Sequence, residues 1–289
     1  MYTTLISADQ LAALTVQQSD LPKIVLLDCR HDLADSQAGQ KAYDLGHIPG
    51  ARFIHLDHDL SGDQLSENGT FLGRHPLPDK EQFLRHVRLW GIDNDTQVVA
   101  YDAHGGMFAA RLWWLLRWAG HSAVAVLDGG LPAWTSLSLP LNDVVSAMRP
   151  GNFTAKPGLM PYVELKEVER NLISAKHTLV DARAPDRFRG ENETIDPVGG
   201  HIPGAINRFF KDNLLSDGRF KPADILRAEW SAVLPDASKS IMQCGSGVTA
   251  CHNLLALEIA GLSGAALYPG SWSEWCASPA RPVITGDSV

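Results

Sequence analysis

Gly46-His47-Ile48-Pro49-Gly50-Ala51 is repeated letter for letter as Gly200-His201-Ile202-Pro203-Gly204-Ala205. Further landmarks recur around both copies in the same order. Val25-Leu26-Leu27-Asp28-Cys29-Arg30 lies upstream of the first, and Thr178-Leu179-Val180-Asp181-Ala182-Arg183 upstream of the second. Downstream, Thr96-Gln97-Val98-Val99-Ala100-Tyr101-Asp102 corresponds to Ser238-Lys239-Ser240-Ile241-Met242-Gln243-Cys244. Beyond these, Leu127-Asp128-Gly129-Gly130-Leu131-Pro132-Ala133-Trp134 corresponds to Tyr268-Pro269-Gly270-Ser271-Trp272-Ser273-Glu274-Trp275. The period far exceeds the roughly 20–50 residues of solenoid repeats, so each copy is expected to be a whole domain. The expected boundaries are 1–140 and 161–289, joined by a linker at 141–160. That region carries Pro140, Pro150, Gly151, Pro157 and Gly158, residues that interrupt regular structure.

Within each copy, short apolar runs alternate with amphipathic segments. Ile24 to Asp28, Val98 to Tyr101 and Ala123 to Leu127 read as buried strands; Lys80 to Trp90 and Gly106 to Ala119 read as helices. Such alternation predicts an α/β fold, a mainly parallel sheet flanked by helices in each domain. The shared Gly-His-Ile-Pro-Gly-Ala reads as a tight turn into a strand, with glycine supplying positive φ and proline fixing φ. In open parallel sheets, ligands bind beyond the carboxyl ends of the strands.

One such end differs chemically from its duplicate. Lys239 to Gln243 reads as a strand, and Ala250 to Ala260 as a helix closed by Gly261. Between them runs Cys244-Gly245-Ser246-Gly247-Val248-Thr249. A cysteine at such a loop faces the loop amides and the positive end of a helix, which together favour a thiolate. The glycines permit the backbone angles of a cradle. The expected chemistry is that of a nucleophile whose loop holds an anionic transferring group. In the first copy Asp102 stands in the cysteine's place, and a carboxylate cannot supply a thiolate.

Bulk properties exclude several classes. A net charge of −8 opposes an electrostatic grip on nucleic acid. No apolar run approaches the roughly 18 residues that span a bilayer, so no membrane partner is expected. The four cysteines, Cys29, Cys244, Cys251 and Cys276, form no disulfide framework. Met1 to Ser7 lacks signal-peptide character, and the expected location is the cytoplasm. His55-Leu56-Asp57-His58-Asp59 offers metal-ligating residue types, yet no cysteine or further histidine pair completes a set. No metal or cofactor is expected. Cys29, Cys251 and Cys276 read as buried thiols, and Trp113, Trp114 and Trp118 as helix core or interdomain packing. Trp272 and Trp275 read as core or as pocket walls.

The repeated landmarks and the loop Cys244 to Ala250 resemble the rhodanese family over nearly the whole chain. The loop is most similar to that of the 3-mercaptopyruvate sulfurtransferases. The resemblance implies tandem rhodanese-like domains, the first catalytically silent. It also implies that the Cys244 thiolate accepts a sulfane sulfur and passes it to cyanide, a thiol or a protein acceptor such as thioredoxin. Thiosulfate-preferring members carry basic residues just after the cysteine, where this chain has Gly245 and Ser246. The neutral pair points to 3-mercaptopyruvate, with thiosulfate as the alternative donor. The resemblance places donor binding on Arg187, Arg189, Gly245, Gly247, Val248 and Thr249. The family's second carboxylate-binding arginine has no counterpart in Glu191 to Gly199. The resemblance further implies a relay of Ser246, His75 and Asp57. His75 lies in Gly62 to Pro78, the segment by which copy one exceeds copy two. Such a long loop is often functional and is expected to reach Cys244. A cysteine phosphatase is disfavoured because no arginine closes the loop. A non-catalytic sulfur-binding module is disfavoured because cysteine and glycines are all present.

Overall fold

Strands form where the apolar runs predict them. In the first half they are Leu5–Ile6 (β1), Ile24–Asp28 (β2), Arg52–Phe53 (β3), Gln97–Tyr101 (β4) and Val124–Leu127 (β5). They pair in parallel in the order β1-β5-β4-β2-β3. In the second half Thr178–Asp181 (β6), Ala205–Asn207 (β7), Ser240–Gln243 (β8) and Ala266–Leu267 (β9) pair in parallel as β7-β6-β8-β9. A parallel bridge from Tyr162 to Leu267 continues this sheet past β9, where β1 stands in the first sheet. The computed structural model describes residues 1–16, 23–147 and 149–287. The expected linker therefore includes one position, Met148, outside the described residues, as are Ser288 and Val289 at the end of the second expected domain.

The chain forms two units. One comprises Met1–Ser61, Pro78–Leu159 and Leu215–Phe220; the other comprises Gly62–Leu77, Met160–Leu214 and Lys221–Val289. In the first, helix Ala109–Trp118 packs on β4 and β5 and buries Leu112, Trp113, Trp114, Leu115 and Leu116 completely. Each such side chain contributes about 1.5–3 kcal/mol by leaving water, so this helix is a principal support of the sheet. It begins at Ala109 rather than at Gly106 because Gly105 and Gly106 adopt φ of 70° and 90°, outside helical space. In the second unit, helix Thr249–Ile259 packs on β8 and is buried from Thr249 to Leu257. The two tryptophans Trp272 and Trp275 belong to that unit's core, fully buried with Tyr268 and Ile202.

The repeated hexapeptide is structural in both units. The amide of Ala51 donates to Ile48 O and that of Ala205 to Ile202 O. Gly50 and Gly204 take φ of 81° and 77°, as a proline-glycine turn of type II requires. His47 stacks on Tyr43 and His201 on Phe188, and each Nδ1 bonds the carbonyl of its stacking partner. The Asp-x-Arg motif also acts twice. Arg30 pairs with Asp28 and donates to Gly46 O; Arg183 pairs with Asp181 and donates to Gly200 O. Desolvation offsets most of the attraction in such buried pairs. Their contribution is register, tying the end of a strand to the turn that precedes its neighbour.

Candidate active site

β8 ends at Gln243, and the chain turns at Cys244 before entering helix Thr249–Ile259. Cys244 is 2 % exposed. Its Sγ accepts the amide hydrogen of Gly247 at 3.1 Å and lies 3.4 Å from the amide nitrogen of Ser246. The helix that follows adds the positive end of its dipole. Gly247 has φ of 76°, and a Cβ there would lie 2.4 Å from Pro269 O. Only glycine closes this turn. Val248 and Thr249 are nearly buried at the helix start. The loop is braced from outside, since Trp272 N donates to Cys244 O and Ser273 N to Gly245 O.

Beside this cradle lies an arginine pair. A Cβ on Gly245 would stand 2.8 Å from Arg74 Nη2 and 3.7 Å from Arg187 Nη2. Both guanidinium groups therefore approach the residue next to Cys244, and a larger side chain would displace them. Arg187 donates from Nε and Nη2 to Glu193, and Nη2 also reaches Asp196 at 3.3 Å. Arg74 pairs through Nη1 with the other oxygen of Asp196. The carboxylates are almost wholly buried, while the Arg74 and Arg187 side chains remain 23 % and 19 % exposed. Burial pushes the Asp196 carboxyl above its ordinary range, against the pull of Arg74. Burial also opposes ionisation of Glu193, but the Arg187 hydrogen bond and the amides of Asp196 and Ile195 prevail and hold it low.

Arg74, Glu193 and Asp196 were not singled out by sequence reasoning. The stretch Glu191 to Gly199 was read for the arginine it lacks. Its acidic residues carried a readable signal, because carboxylates beside an expected anion site need buried cations.

The segment holding Arg74 is fixed at consecutive residues. A Cβ on Gly73 would meet Gly270 O at 2.8 Å, Arg74 N donates to Ser273 Oγ, and His75 Nδ1 is hydrogen-bonded to Ser246 Oγ at 2.8 Å. His75 and Ser246 are thus brought together as expected. Asp57 lies in the short helix Leu56–Asp59 of the first unit, with its amide donating to His55 Nδ1. Arg189 pairs with Glu191 through Nε and Nη2.

The remaining candidates resolve as follows. All four cysteines are free and buried. Burial holds the Cys29 thiol well above its ordinary value, reinforced by Asp102 and Asp28, and pushes Cys276 up to about 11. Cys251 donates its S–H to Gly247 O, bracing the cradle from the helix. Trp272 and Trp275 have no exposed surface, so they are core rather than pocket walls. His31, unflagged in the sequence, joins His55 and Asp57 in a group whose ligand atoms lie within 4.8 Å of one another. In the first unit the position of Cys244 is held by Asp102, whose carboxylate accepts four amides: His104 and Gly106 on Oδ1, Phe108 and Ala109 on Oδ2.

Comparison with known proteins agrees with this duplicated architecture. The family described as Rhodanese-like domain matches residues 7–137 and again 164–278. A probable 3-mercaptopyruvate sulfurtransferase of Pseudomonas aeruginosa is 47 % identical over 286 residues, covering 98 % of both chains. A thiosulfate sulfurtransferase of Mus musculus is 35 % identical, covering 100 % of this chain and 97 % of its own. Among solved structures, SseA from Escherichia coli superposes with a TM-score of 0.79 at 32 % identity, over 94 % of this chain and all of that one.

Proposed function

The chain belongs to the rhodanese family and is a sulfurtransferase, and we propose that its sulfur carrier is Cys244 and its preferred donor 3-mercaptopyruvate. The observation that carries this reading is the buried Cys244 Sγ facing two loop amides, with Arg74 and Arg187 both directed at Gly245. The thiolate attacks the donor sulfur, forming an S–S bond as the C–S bond breaks. The bonding pair leaves with carbon as the enolate of pyruvate, which takes up the proton of the donor thiol. The products are pyruvate and the Cys244 persulfide. An acceptor nucleophile, whether cyanide, a thiol or a protein such as thioredoxin, then attacks the outer sulfur and returns Cys244 as thiolate.

In this reading the donor carboxylate meets the free edges of the Arg74 and Arg187 guanidiniums, whose planar forks match it. Gly245 leaves the space and adds no charge, which suits a monoanionic donor over thiosulfate. The amides of Ser246 and Gly247 face the negative charge on sulfur, and Gly247, Val248 and Thr249 are assigned to donor binding from their matched positions. Ser246 and His75 pass the thiol proton toward the enolate carbon, histidine being the side chain that titrates near neutrality. Asp57 is assigned as the third member of this relay from its matched position. Arg189, held by Glu191, is assigned a supporting charge at the rim.

No helix among the described residues is long and apolar enough to cross a membrane. Free thiols at all four cysteines suit a reducing compartment such as the cytoplasm. The deciding experiment is incubation with each donor followed by intact-mass measurement and parallel kinetics. The expected result is a gain of one sulfur atom on Cys244, with kcat/KM for 3-mercaptopyruvate above that for thiosulfate. No gain with either donor would overturn the assignment, and the reverse order would transfer the preference to thiosulfate.

A further inference from the structure

Among the described non-glycine residues, Ser138, Ala175 and Ser271 have positive φ, and Ser271 alone of these is fully buried. Its φ of 55° belongs to the left-handed region, which disfavours a residue with a Cβ. Its hydroxyl donates to Tyr268 O at 2.9 Å and accepts the amide of Cys244 at 3.1 Å. The next amide, of Trp272, donates to Cys244 O. Both main-chain polar groups of the cysteine are thus held by consecutive residues of one turn.

The internal duplicate supplies the control. The corresponding turn of the first unit places Gly130 at φ of 58°, and Leu131 N donates to Asp102 O at 2.8 Å. Backbone angle and carbonyl contact are the same, but the side chain is missing. A Cβ on Gly130 would fall 2.3 Å from Asp102 O, so that turn is built for glycine. The turn therefore has no need of serine as a turn. Serine occurs in the unit that carries the cysteine, in a conformation glycine would adopt without strain, and its hydroxyl bonds the cysteine's own amide.

Resting on the reading of Cys244 as the sulfur carrier, we propose that Ser271 is a positioning residue for that nucleophile. Its bond to the Cys244 amide sets where the residue leaves β8. It thereby fixes where Sγ meets the amides of Ser246 and Gly247. Its contribution falls on attack by sulfur and not on holding the donor. The strain at its backbone accompanies function, as left-handed non-glycine residues in active sites do.

The test is a pair of substitutions read against wild type. Ser271→Gly removes the hydroxyl and the strain; Ser271→Ala removes the hydroxyl and keeps the strain. Steady-state kinetics with both donors, timed intact-mass measurement of the persulfide, and thermal melting are recorded for each. Ser271→Gly is expected to melt above Ser271→Ala, because relief of strain offsets part of the cost of leaving Cys244 N and Tyr268 O without the hydroxyl, while kcat and the rate of persulfide formation fall about tenfold for both donors. KM stays within about twofold, the pattern of an interaction made in the transition state. Ser271→Ala should lose activity to the same degree and also melt lower. Wild-type kcat in Ser271→Gly, an effect confined to KM, or a melting loss matching that of Ser271→Ala would overturn the proposal. A wild-type protein that gains no sulfur from either donor would instead overturn the reading of Cys244, and this proposal with it.

Discussion

The loops at Asp102 and Cys244 begin from the same strand position of a duplicated sheet and differ in what fills the cradle. Asp102 fills its own. Its carboxylate carries charge two bonds beyond Cβ and saturates four amides at 2.8–3.0 Å. Cys244 ends one bond beyond Cβ and engages two amides at longer sulfur distances. A persulfide would add one further atom and carry its negative charge two bonds beyond Cβ, as the aspartate does. On the proposed reading, the Asp102 loop is an internal picture of a loaded cradle, closed by a group that cannot leave. One loop saturates its amides with a carboxylate, and on the proposed reading the other keeps that position open for sulfur.

Replacing the carrier should have the largest effect. Cys244→Ser should abolish sulfur uptake and turnover, at least a thousandfold, with an unchanged melt, because a serine hydroxyl neither ionises at neutral pH nor holds sulfur. Intact mass and a thiocyanate assay check it. The opposite pattern is expected at Asp102. Asp102→Ala leaves three buried amides and that of exposed His104 without their acceptor, a loss of about 3–5 kcal/mol, read as a lower denaturation midpoint. Asp102→Asn should fall nearly as far, since its NH2 group would face amide donors. Activity per folded molecule should persist in both variants. A variant at Asp102 that melts normally would break the comparison, because the carboxylate would then not be the cradle's support.

Smaller effects sharpen it. Arg74→Met and Arg187→Met should each raise KM for 3-mercaptopyruvate by roughly 10- to 100-fold, the range for losing one charge-assisted contact to a carboxylate. Removing Arg74 also leaves Asp196 without one of its cations. The variant's melt should therefore be compared at pH 5 and pH 8. Burial already raises the folded Asp196 pKa above the unfolded value, and losing Arg74 raises it further. A raised carboxyl pKa contributes stability that is present at low pH and lost as pH rises through the folded value. Arg74→Met should accordingly lose more stability at pH 8 than at pH 5, and an equal loss at both would dissociate Arg74 from Asp196. The smallest effect concerns the other thiols. Burial pushes Cys276 up to about 11 and holds Cys29 well above its ordinary value, so both stay protonated at pH 8. Brief alkylation of the folded protein there should leave both unlabelled by peptide mapping.

Much of the fold was legible because duplication repeats its constraints. The apolar runs at Ile24 to Asp28 and Val98 to Tyr101 predict strands that form within a residue of the reading. The turn chemistry of Pro49-Gly50 and Pro203-Gly204 predicts positive φ at both glycines. Helix Ala109–Trp118 starts later than its composition predicts because Gly105 and Gly106 take positive φ as the loop folds its amides onto the Asp102 carboxylate, a relation outside local propensity. His75 was named from a matched position. Its neighbour Arg74 was passed over, since nothing local separates a site arginine from a surface one.

The sequence by itself determined that two like domains exist, that each is a parallel α/β sheet, and that one carries a cysteine where the other carries aspartate. Those facts follow from periodicity, turn residues and residue identity, all of which act over short range. Only the tertiary structure decided that Arg74 and Arg187 converge on Gly245 through Asp196. It alone showed that Asp102 caps four amides and that Ser271 holds the amide of Cys244. Each of these pairs residues far apart along the chain or rests on a backbone angle, and their contact energies exist only once folding has brought them to a few ångströms.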